Sequence, residues 1–291
     1  MTLWTHIAEA ISKATGEIFH LAKQQAIGGG CINESNRISD GERSFFVKTN
    51  SSLHGDMFEA EAESLAELAK AGVIRVPQPI CHGVHQQQCY LVLEYLDMRG
   101  SLDMQRFGHQ FAELHRIRHE HFGWHRNNTI GSTPQINEPM DNWIEFWRHN
   151  RLGYQLQLAA SNGYGGELQR LGERLMADLP VLFESYQPQP SMLHGDLWGG
   201  NASALVDGSP VIYDPAFYFG DREADLAMTH LFGGFNKNFY SAYNEAWTLD
   251  DGYPVRKIFY NLYHIINHLN IFGGGYHDQA IAMSQQVLAE I

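Results

Sequence analysis

The sequence predicts an α+β protein with two lobes, a small β-rich N-terminal lobe and a large, mainly helical C-terminal lobe. In the first 95 residues, short extended segments are separated by turn signals, and one long segment has helical periodicity. After Tyr95 the pattern changes to long helical segments with a few short apolar strands between them. We therefore predict an N-terminal domain at residues 1–95 and a C-terminal domain at residues 96–291.

Glycine and other turn residues divide the N-terminal lobe into its elements. Residues 28–30, all glycine, interrupt an extended stretch, Asp40-Gly41 is typical of a hairpin turn, and Gly72 is typical of a helix end. Residues 76–79 (VPQP) are expected to form an extended connector. The predicted helices are residues 3–14 and 56–71, and the predicted strands are residues 18–27, 33–39, 44–49 and 88–94.

The C-terminal lobe is predicted to be mainly helical because its apolar residues recur with a helical period. Three short apolar runs between the helices are expected to be strands, at residues 191–194, 204–206 and 211–213. The predicted helices are residues 102–118, 141–160, 166–185, 221–231, 235–247, 254–272 and 277–291.

Composition narrows the classes of function. The chain has 291 residues and a formal net charge of -13 at pH 7, so general attraction to nucleic acid or anionic membrane is not expected. It has no apolar run of membrane-spanning length and no secretory signal pattern, so we expect a cytoplasmic protein with reduced cysteines. The pairs His115/His119 and His264/His268 lack the acidic residue of a zinc-binding HExxH motif and are expected to be surface or core histidines.

The segment after the predicted strand at residues 191–194 carries side chains that phosphoryl transfer from ATP requires. That reaction needs a carboxylate to take the proton of the acceptor hydroxyl, oxygen ligands for a metal ion, and a lysine for the phosphates. Asp196 precedes Asn201 by five residues, the spacing of the catalytic Asp and the metal-binding Asn in protein kinases. Asp214 follows the predicted strand at residues 211–213 and is expected to be a second metal ligand. Each alone would be more typical of a turn, but their order and spacing favour a kinase.

The N-terminal lobe carries two candidate phosphate-binding features. Lys48 follows three apolar residues on a predicted strand, and we expect it to bind nucleotide phosphates, although an exposed strand lysine would be commoner on bare sequence. Gly29 and Gly30 belong to a loop at residues 28–33 whose backbone amides are expected to cover the phosphates. Most glycine-rich turns are only tight turns, but the position of this loop before the Lys48 strand favours a phosphate-binding role.

Three further positions have a functional and a plain structural interpretation. Backbone groups of Glu94, Tyr95 and Leu96 are expected to read the adenine edge, and the alternative is a simple linker. Trp198 is expected to stack on the acceptor, with a core tryptophan as the alternative. Cys31, in the glycine loop, is either an inert small residue or a redox-sensitive thiol that links two chains on oxidation.

Seven segments, spread over nearly the whole chain, carry a resemblance to a known family. They are residues 29–33 (GGCIN), 46–48 (FVK), 57–62 (MFEAEA), 91–96 (LVLEYL), 194–201 (HGDLWGGN), 213–216 (YDPA) and 220–228 (GDREADLAM). With them the chain resembles the aminoglycoside phosphotransferase and choline kinase group, which has a protein-kinase-like fold. The continuation LWGGN after His-Gly-Asp, together with GDREADLA, makes it similar to the fructosamine-3-kinase (ketosamine-3-kinase) family within that group.

The resemblance implies an ATP- and Mg²⁺-dependent enzyme that phosphorylates the 3-hydroxyl of ketosamines, the Amadori products of sugars with amines, in deglycation repair. It implies ATP binding between the lobes. By position in the family motifs, Glu61 is expected to hold Lys48. His194, Asp221 and Asp225 are expected to support the catalytic loop without touching substrate, and Asp221 is also a predicted helix cap.

Two alternatives stay open at this point. One is another small-molecule kinase of the same group, acting on an aminoglycoside, choline or homoserine, and the acidic net charge suits a polycationic aminoglycoside. The other is a nucleotide-binding, pseudokinase-like module, against which Lys48, Asp196, Asn201 and Asp214 argue together. The expected partner is a free or protein-bound ketosamine, with no nucleic acid or membrane, and the chain is expected to be a monomer unless Cys31 links two copies. The preferred sugar (ribulosamine, erythrulosamine or fructosamine) does not follow from the sequence.

Overall fold

The computed structural model describes residues 1–28 and 32–291, which fall into two compact units. The first unit comprises Met1–Leu102 and Ser203–Asp214, and the second comprises Asp103–Ala202 and Pro215–Ile291. The first unit thus includes a segment from far along the chain as well as the N-terminal residues. The domain boundary after residue 95, which rests on sequence pattern, stays a prediction.

The first unit is built on a five-stranded antiparallel sheet. Its strands are β1 (Lys23–Ile27), β2 (Glu34–Ser39), β3 (Ser44–Ser51), β4 (Pro79–His85) and β5 (Gln88–Glu94). Their order across the sheet is β1-β2-β3-β5-β4. Asp40 closes the predicted turn between β2 and β3, because its Oδ1 accepts hydrogen bonds from the backbone N–H groups of Glu42 and Arg43 at 3.0 and 2.7 Å. β4 is a strand that the sequence analysis did not predict.

Two helices, α1 (Leu3–Thr15) and α2 (Gly55–Ala71), belong to the first unit. The apolar face of α1, which includes Ile7 and Ile11, joins one core cluster with Val47 of the sheet. Each such aliphatic side chain contributes about 1.5–3 kcal/mol on burial. Because side chains alternate along a strand, Lys48, the residue after Val47, lies on the opposite face of β3. This alternation separates the core of the unit from its candidate functional face.

The second unit is mainly helical. Its α-helices are α3 (Met104–His115), α4 (Trp143–Trp147), α5 (Tyr154–Ser161), α6 (Glu167–Asp178), α7 (Arg222–Leu231), α8 (Lys237–Ala246), α9 (Tyr253–Phe272) and α10 (Tyr276–Ala289). The helix predicted at residues 141–160 is observed as a helical segment from Trp143 to Ser161, but its middle, Arg148–Gly153, is π-helical and lies between α4 and α5. In this wider turn the buried Arg151 donates to Ile136 O at 2.5 Å and to Asn137 Oδ1 at 2.8 Å. In the described part of the chain, every helix is too short or too polar to cross a membrane.

Short strand pairs lie between helices along the chain, and the pair at residues 202–212 belongs almost entirely to the first unit. The strands are β6 (Asn128–Ile130), β7 (Thr133–Gln135), β8 (Ser191–Leu193), β9 (Ala202–Ala204), β10 (Pro210–Ile212) and β11 (Tyr218–Gly220). β6 pairs with β7, β8 with β11 and β9 with β10. The strand predicted at residues 204–206 is observed as β9, two residues earlier. β8 leads into the loop that carries Asp196. β11 comes shortly after Asp214 in the chain.

Candidate functional site

Lys48 is a buried cation held by two carboxylates of the first unit. Its side chain is 7% exposed, and its Nζ donates to Glu61 Oε1 at 2.7 Å and also to Asp214 Oδ1. Burial disfavours the ammonium form, but attraction to Asp214 and Glu61 outweighs burial and raises the pKa of Lys48 above its ordinary value. The ammonium is therefore retained at neutral pH. The structure brings together Lys48 and Glu61, which the family resemblance had paired.

Asp214 reaches Lys48 from an unusual backbone conformation. Its φ of 58° lies in the left-handed region, which few residues with a side chain adopt and which Asp tolerates better than most. The preceding strand is anchored to the same unit, since the Ile212 N–H donates to Arg75 O at 3.0 Å. The Asp214 side chain is 46% exposed, so its carboxylate is open to solvent as well as bound to Lys48.

The segment after β5 is fixed by arginine contacts. Glu94, at the end of β5, accepts hydrogen bonds from Arg75 Nη2 at 2.5 Å and from the backbone N–H of Gln78 at 3.3 Å. The Arg37 guanidinium lies over the Tyr95 ring, 4.3 Å from its centroid. These contacts fix the position of the backbone that we predict to bind the adenine edge. They involve the side chains of Glu94 and Tyr95, whereas the prediction requires only backbone groups.

In the second unit, Asp196 and Asn201 lie together in the loop after β8. Asn201 Nδ2 donates to the backbone oxygen of Asp196 at 2.9 Å and lies 3.4 Å from Asp196 Oδ2. The Asp196 N–H donates to Nδ1 of the buried His194 at 3.3 Å. This loop therefore fixes the backbone of Asp196 on both sides, while the Asp196 side chain stays partly exposed.

Gly195, which directly precedes Asp196, occupies a position that only glycine fits. Its φ is 84°, and a Cβ atom there would lie 1.9 Å from the carbonyl oxygen of Ala216. Any other residue would be strained and would also collide with a backbone atom. Asp196 thus follows a point where two backbone segments are in direct contact.

Asp225 anchors the same loop from the buried face of α7. Its Oδ2 accepts from the His194 N–H at 2.7 Å, and its Oδ1 accepts from the Gly195 N–H at 2.9 Å. His115 Nε2 lies 3.2 Å from Asp225 Oδ2, and His115 Nδ1 lies 2.7 Å from Tyr243 Oη. Burial would raise the pKa of Asp225, but the hydrogen bond with His115 and the interactions with His194 outweigh it and lower that pKa. Asp225 is therefore ionised and binds the two backbone N–H groups strongly.

Asp221 is placed differently from Asp225. It caps α7, as predicted, with its Oδ1 accepting from the Glu223 N–H at 3.1 Å. Its carboxylate also accepts from the hydroxyls of Tyr186 at 2.7 Å and Tyr260 at 2.5 Å. These bonds join α7 to α9 and to the segment after α6, so a contribution of Asp221 to the catalytic loop would pass through the helix.

Trp198 lies at the surface of the second unit rather than in its core. The residue is 38% exposed, and its ring makes an edge contact with Phe232, with centroids 6.2 Å apart. The Phe232 ring in turn lies 4.9 Å from His268 on α9. An open aromatic surface therefore begins two residues after Asp196.

Gly29, Gly30 and Cys31 lie outside the described residues. The residues that follow are tied to β3, because Asn50 Nδ2 donates to Asn33 Oδ1 at 2.7 Å and to Ile32 O at 3.2 Å. The other cysteines are free thiols, and burial raises the pKa of both, to about 11 for Cys81. Those two thiols are therefore protonated at neutral pH.

The residues predicted to hold a metal ion have the chemistry that Mg²⁺ prefers. Asn201 directs its amide nitrogen to Asp196, which leaves its carbonyl oxygen as the atom for a cation. Asp214 supplies a half-exposed carboxylate. Among the described residues, no group of three or more His, Cys, Asp or Glu side chains could hold a metal ion alone.

Three residues with clear positioning contacts escaped the sequence analysis. Arg75 binds Glu94 through its side chain and the strand before Asp214 through its backbone, and His115 and Tyr243 extend the Asp225 contacts. His115 is 110 residues from Asp225 in sequence, so no local spacing could have shown the pair. The sequence predicts only that His115 is a surface or core histidine, and the structure shows it in the core.

The chain is similar in sequence and in fold to proteins of known families. The sequence matches the family model for fructosamine kinase over residues 3–290. This chain belongs to the fructosamine kinase family. The match confirms the resemblance carried by the seven sequence segments, and the chain is accordingly an ATP-dependent phosphotransferase.

Individual relatives cover almost the whole chain. A Synechocystis sp. protein assigned as a ketoamine kinase is 46% identical over 98% of this chain and 97% of its own length. The chloroplastic protein-ribulosamine 3-kinase of Arabidopsis thaliana is 40% identical over 94% of this chain and 85% of its own length.

Solved structures confirm the predicted fold class. A Haemophilus somnus protein assigned as a fructosamine-3-kinase has a TM-score of 0.90 and 32% identity, covering 98% of this chain and 97% of that chain. Choline kinase from Streptococcus pneumoniae, at 16% identity and a TM-score of 0.59, covers 98% of this chain and 100% of that chain. The second similarity shows the protein-kinase-like fold alone.

Proposed function

We propose that this fructosamine kinase family member is a ketosamine 3-kinase, which phosphorylates the sugar 3-hydroxyl of Amadori products in deglycation. The observation that carries the acceptor class is the 40% identity to a protein-ribulosamine 3-kinase over 94% of this chain. Phosphoryl transfer itself is supported by the buried Lys48 with its two carboxylates and by the paired Asp196 and Asn201. The 3-phosphate formed is unstable, and its elimination frees the amine.

Asp196 is the proposed general base. Its side chain is partly exposed and its backbone is fixed on both sides, so it can accept the proton of the sugar hydroxyl in a defined orientation. Lys48 is the proposed phosphate-binding cation. Since Glu61 holds it on one side, Lys48 can exchange its bond to Asp214 for a phosphate oxygen without moving far.

Asn201 and Asp214 are the proposed ligands of Mg²⁺. Held there, Mg²⁺ would neutralise the charge that develops on the nucleotide phosphates during transfer. Gly29 and Gly30 are proposed to cover the phosphates with backbone amides, and the backbone at residues 94–96 is proposed to bind adenine. Trp198, with its exposed ring, is the proposed stacking surface for the acceptor.

The decisive experiment offers ATP and three synthetic acceptors, ribulosyl-, erythrulosyl- and fructosyl-lysine, and detects phosphorylated product by mass spectrometry. We expect phosphate on at least one, followed by release of free lysine as the 3-phosphate eliminates. Lysine without a sugar is the matched control and should stay unmodified.

Choline, homoserine and an aminoglycoside in the same assay test the alternative acceptors. Turnover on one of them, with none on any ketosamine, would replace the proposed acceptor class. A thermal shift with ATP but no turnover on any acceptor would favour a nucleotide-binding module. A glycated protein, offered in the same assay beside glycated lysine, tests whether the enzyme phosphorylates a protein-bound ketosamine as well as a free one.

A further inference from the structure

Gln135, at the end of β7, is a buried amide that the sequence analysis did not single out. It pairs across the β6–β7 hairpin with Asn128, and it is 1% exposed. A buried amide with unpaired groups would destabilise the fold, so each of its hydrogen-bonding groups needs a partner.

All of the polar groups of the Gln135 side chain are used. Its Nε2 donates to Asn128 Oδ1 and to the backbone oxygen of Ala216, each at 2.9 Å. Its Oε1 accepts from the hydroxyl of Tyr263 on α9 at 3.0 Å. The orientation of the amide is determined, because the carbonyl of Ala216 can only accept and must face the nitrogen.

The neighbouring carbonyl is held in the same way. Asn128 Nδ2 donates to Phe217 O at 2.8 Å, and Asn137 Nδ2 donates to Asn128 Oδ1 at 2.9 Å. Two successive carbonyls, of Ala216 and Phe217, are therefore fixed by amide side chains of the β6–β7 hairpin and the residues after it. These carbonyls precede β11, the strand that pairs with β8 before the catalytic loop.

Ala216 O is also the atom against which Gly195 packs. A Cβ at Gly195 would lie 1.9 Å from it, so the Gly195 backbone and this carbonyl are already in contact. Asp196 is the next residue. A shift of Ala216 O toward Gly195 would displace the backbone of Asp196, and a shift away would leave the loop unsupported there.

We propose that Gln135 is a positioning residue for phosphoryl transfer, which sets the position of Asp196 through the carbonyl of Ala216 and the backbone of Gly195. Tyr263 fixes the amide from the far side. The inference rests on the proposed role of Asp196 as the general base. Small displacements of a reacting group lower turnover strongly while they leave nucleotide binding unchanged.

The test compares Gln135→Met with Gln169→Met. Gln169 is also a glutamine whose Nε2 has two acceptors, but these are the backbone oxygens of Leu156 and Tyr164, both at 3.0 Å, and not the segment beside Gly195. For both variants, thermal unfolding midpoint, KM for ATP and kcat, measured as ADP release with the best ketosamine acceptor, are recorded. We expect Gln135→Met to lower kcat on the order of tenfold, with KM for ATP within about twofold of wild type. Gln169→Met should leave kcat unchanged even where it lowers the unfolding midpoint.

Two outcomes overturn the inference: wild-type kcat in folded Gln135→Met, or an equal loss of kcat in Gln169→Met. Should Gln135→Met fail to fold, Gln135→Glu, which keeps the acceptor for Tyr263 but loses both donors, takes its place, with Tyr263→Phe beside it. Wild-type kcat in both, or a loss explained by unfolding alone, would equally refute the proposal. Asp196→Asn is measured in parallel. If that variant retains full turnover, the proposed function of Asp196 fails first, and the two failures are distinguished.

Discussion

The two groups of candidate catalytic residues are held in place by different interactions. In the first unit, Lys48 is positioned by side-chain ion pairs with Glu61 and Asp214. In the second unit, the backbone around Asp196 is positioned by hydrogen bonds to the buried Asp225 and to Asn201. Ion pairs between side chains can exchange partners when a phosphate arrives, whereas a backbone held at several points is already in its final geometry. The comparison predicts that changes in the first unit alter ATP binding and that changes in the second alter turnover alone.

The largest effect is expected from Asp196→Asn. The amide keeps the size of the side chain but cannot accept the proton of the acceptor hydroxyl, so kcat should fall about 10²- to 10⁴-fold. KM for ATP should stay within about twofold, since Asp196 is not predicted to touch the nucleotide. Steady-state kinetics with varied ATP measures both. Near wild-type kcat would remove Asp196 from the mechanism, and a large rise in KM for ATP would break the comparison.

Lys48→Met should have the next largest effect and the opposite kinetic signature. Loss of the cation removes the charge offered to the phosphates and leaves Glu61 and Asp214 unneutralised, so kcat/KM for ATP should fall about 10²-fold. Lys70→Met is the matched control, because Lys70 is 71% exposed and its ion pair with Glu67 lies on the surface of α2. ATP titration by calorimetry should show weaker binding for Lys48→Met alone. Unchanged ATP affinity would contradict the proposed role of Lys48.

Asp225→Asn should lower turnover more modestly. Asparagine has one acceptor oxygen, so one of the N–H groups of His194 and Gly195 loses its partner, at a cost of about 1–3 kcal/mol in the free energy of unfolding. We expect kcat to fall about tenfold with unchanged KM for ATP. Asp103→Asn is the control, since Asp103 caps α3 and Asn caps a helix equally well. Chemical denaturation gives the free energy of unfolding of both variants, and steady-state kinetics gives their kcat. A free energy of unfolding equal to that of wild type in Asp225→Asn would refute the anchoring role of Asp225.

The smallest effect concerns stability and its dependence on pH. Burial, with help from the neighbouring His268, lowers the pKa of His264 from 6.5 to about 3. The unfolded chain therefore binds a proton that the folded chain refuses, and the free energy of unfolding should fall as pH drops from about 6.5 toward 3, by at most about 1.4 kcal/mol per pH unit from this group. His264→Phe should flatten this dependence, since His264 Nδ1 has no hydrogen-bond partner among the described residues.

The control for that prediction is His20→Phe, the same substitution at an exposed histidine. Denaturation of the three proteins from pH 7 to pH 4 gives the slopes. Parallel slopes for His264→Phe and wild type would contradict the prediction, because they would show that His264 takes up its proton at the same pH in the folded and the unfolded chain.

Much of the fold could be predicted because local pattern and tertiary structure agree. The strand predicted at residues 88–94 is β5 with the same bounds. The helix predicted at residues 56–71 is α2, which begins one residue earlier and ends at residue 71, and the following Gly72 has a left-handed conformation. β4 was missed because Pro77 and Pro79 suggested only a connector, and the strand begins at the second of these prolines on the edge of the sheet. The sequence pattern did not reveal the π-helical segment between α4 and α5. The buried Arg151 in that segment donates hydrogen bonds to Ile136 and Asn137, which lie outside the helix, and local periodicity does not report such tertiary contacts.

The candidate site shows the same division. Asp196, Asn201 and Asp214 could be named from spacing, and Glu61 and Asp225 from the family resemblance. Gln135, His115 and Arg75 could not, because each acts through a partner far away in sequence, and in two of these cases through a backbone carbonyl that any residue would supply. Whether the named residues perform their assigned roles stays a prediction until the variants are measured.

The segment Ser203–Asp214, which returns to the first unit, has a consequence for biosynthesis. A ribosome delivers the chain from the N-terminus, so residues 1–102 emerge long before the strand that bridges to Arg75 exists. During that interval Lys48 has Glu61 within its own contiguous segment but lacks Asp214. The first unit can reach its final form only after the intervening hundred residues, Asp103–Ala202, have been translated.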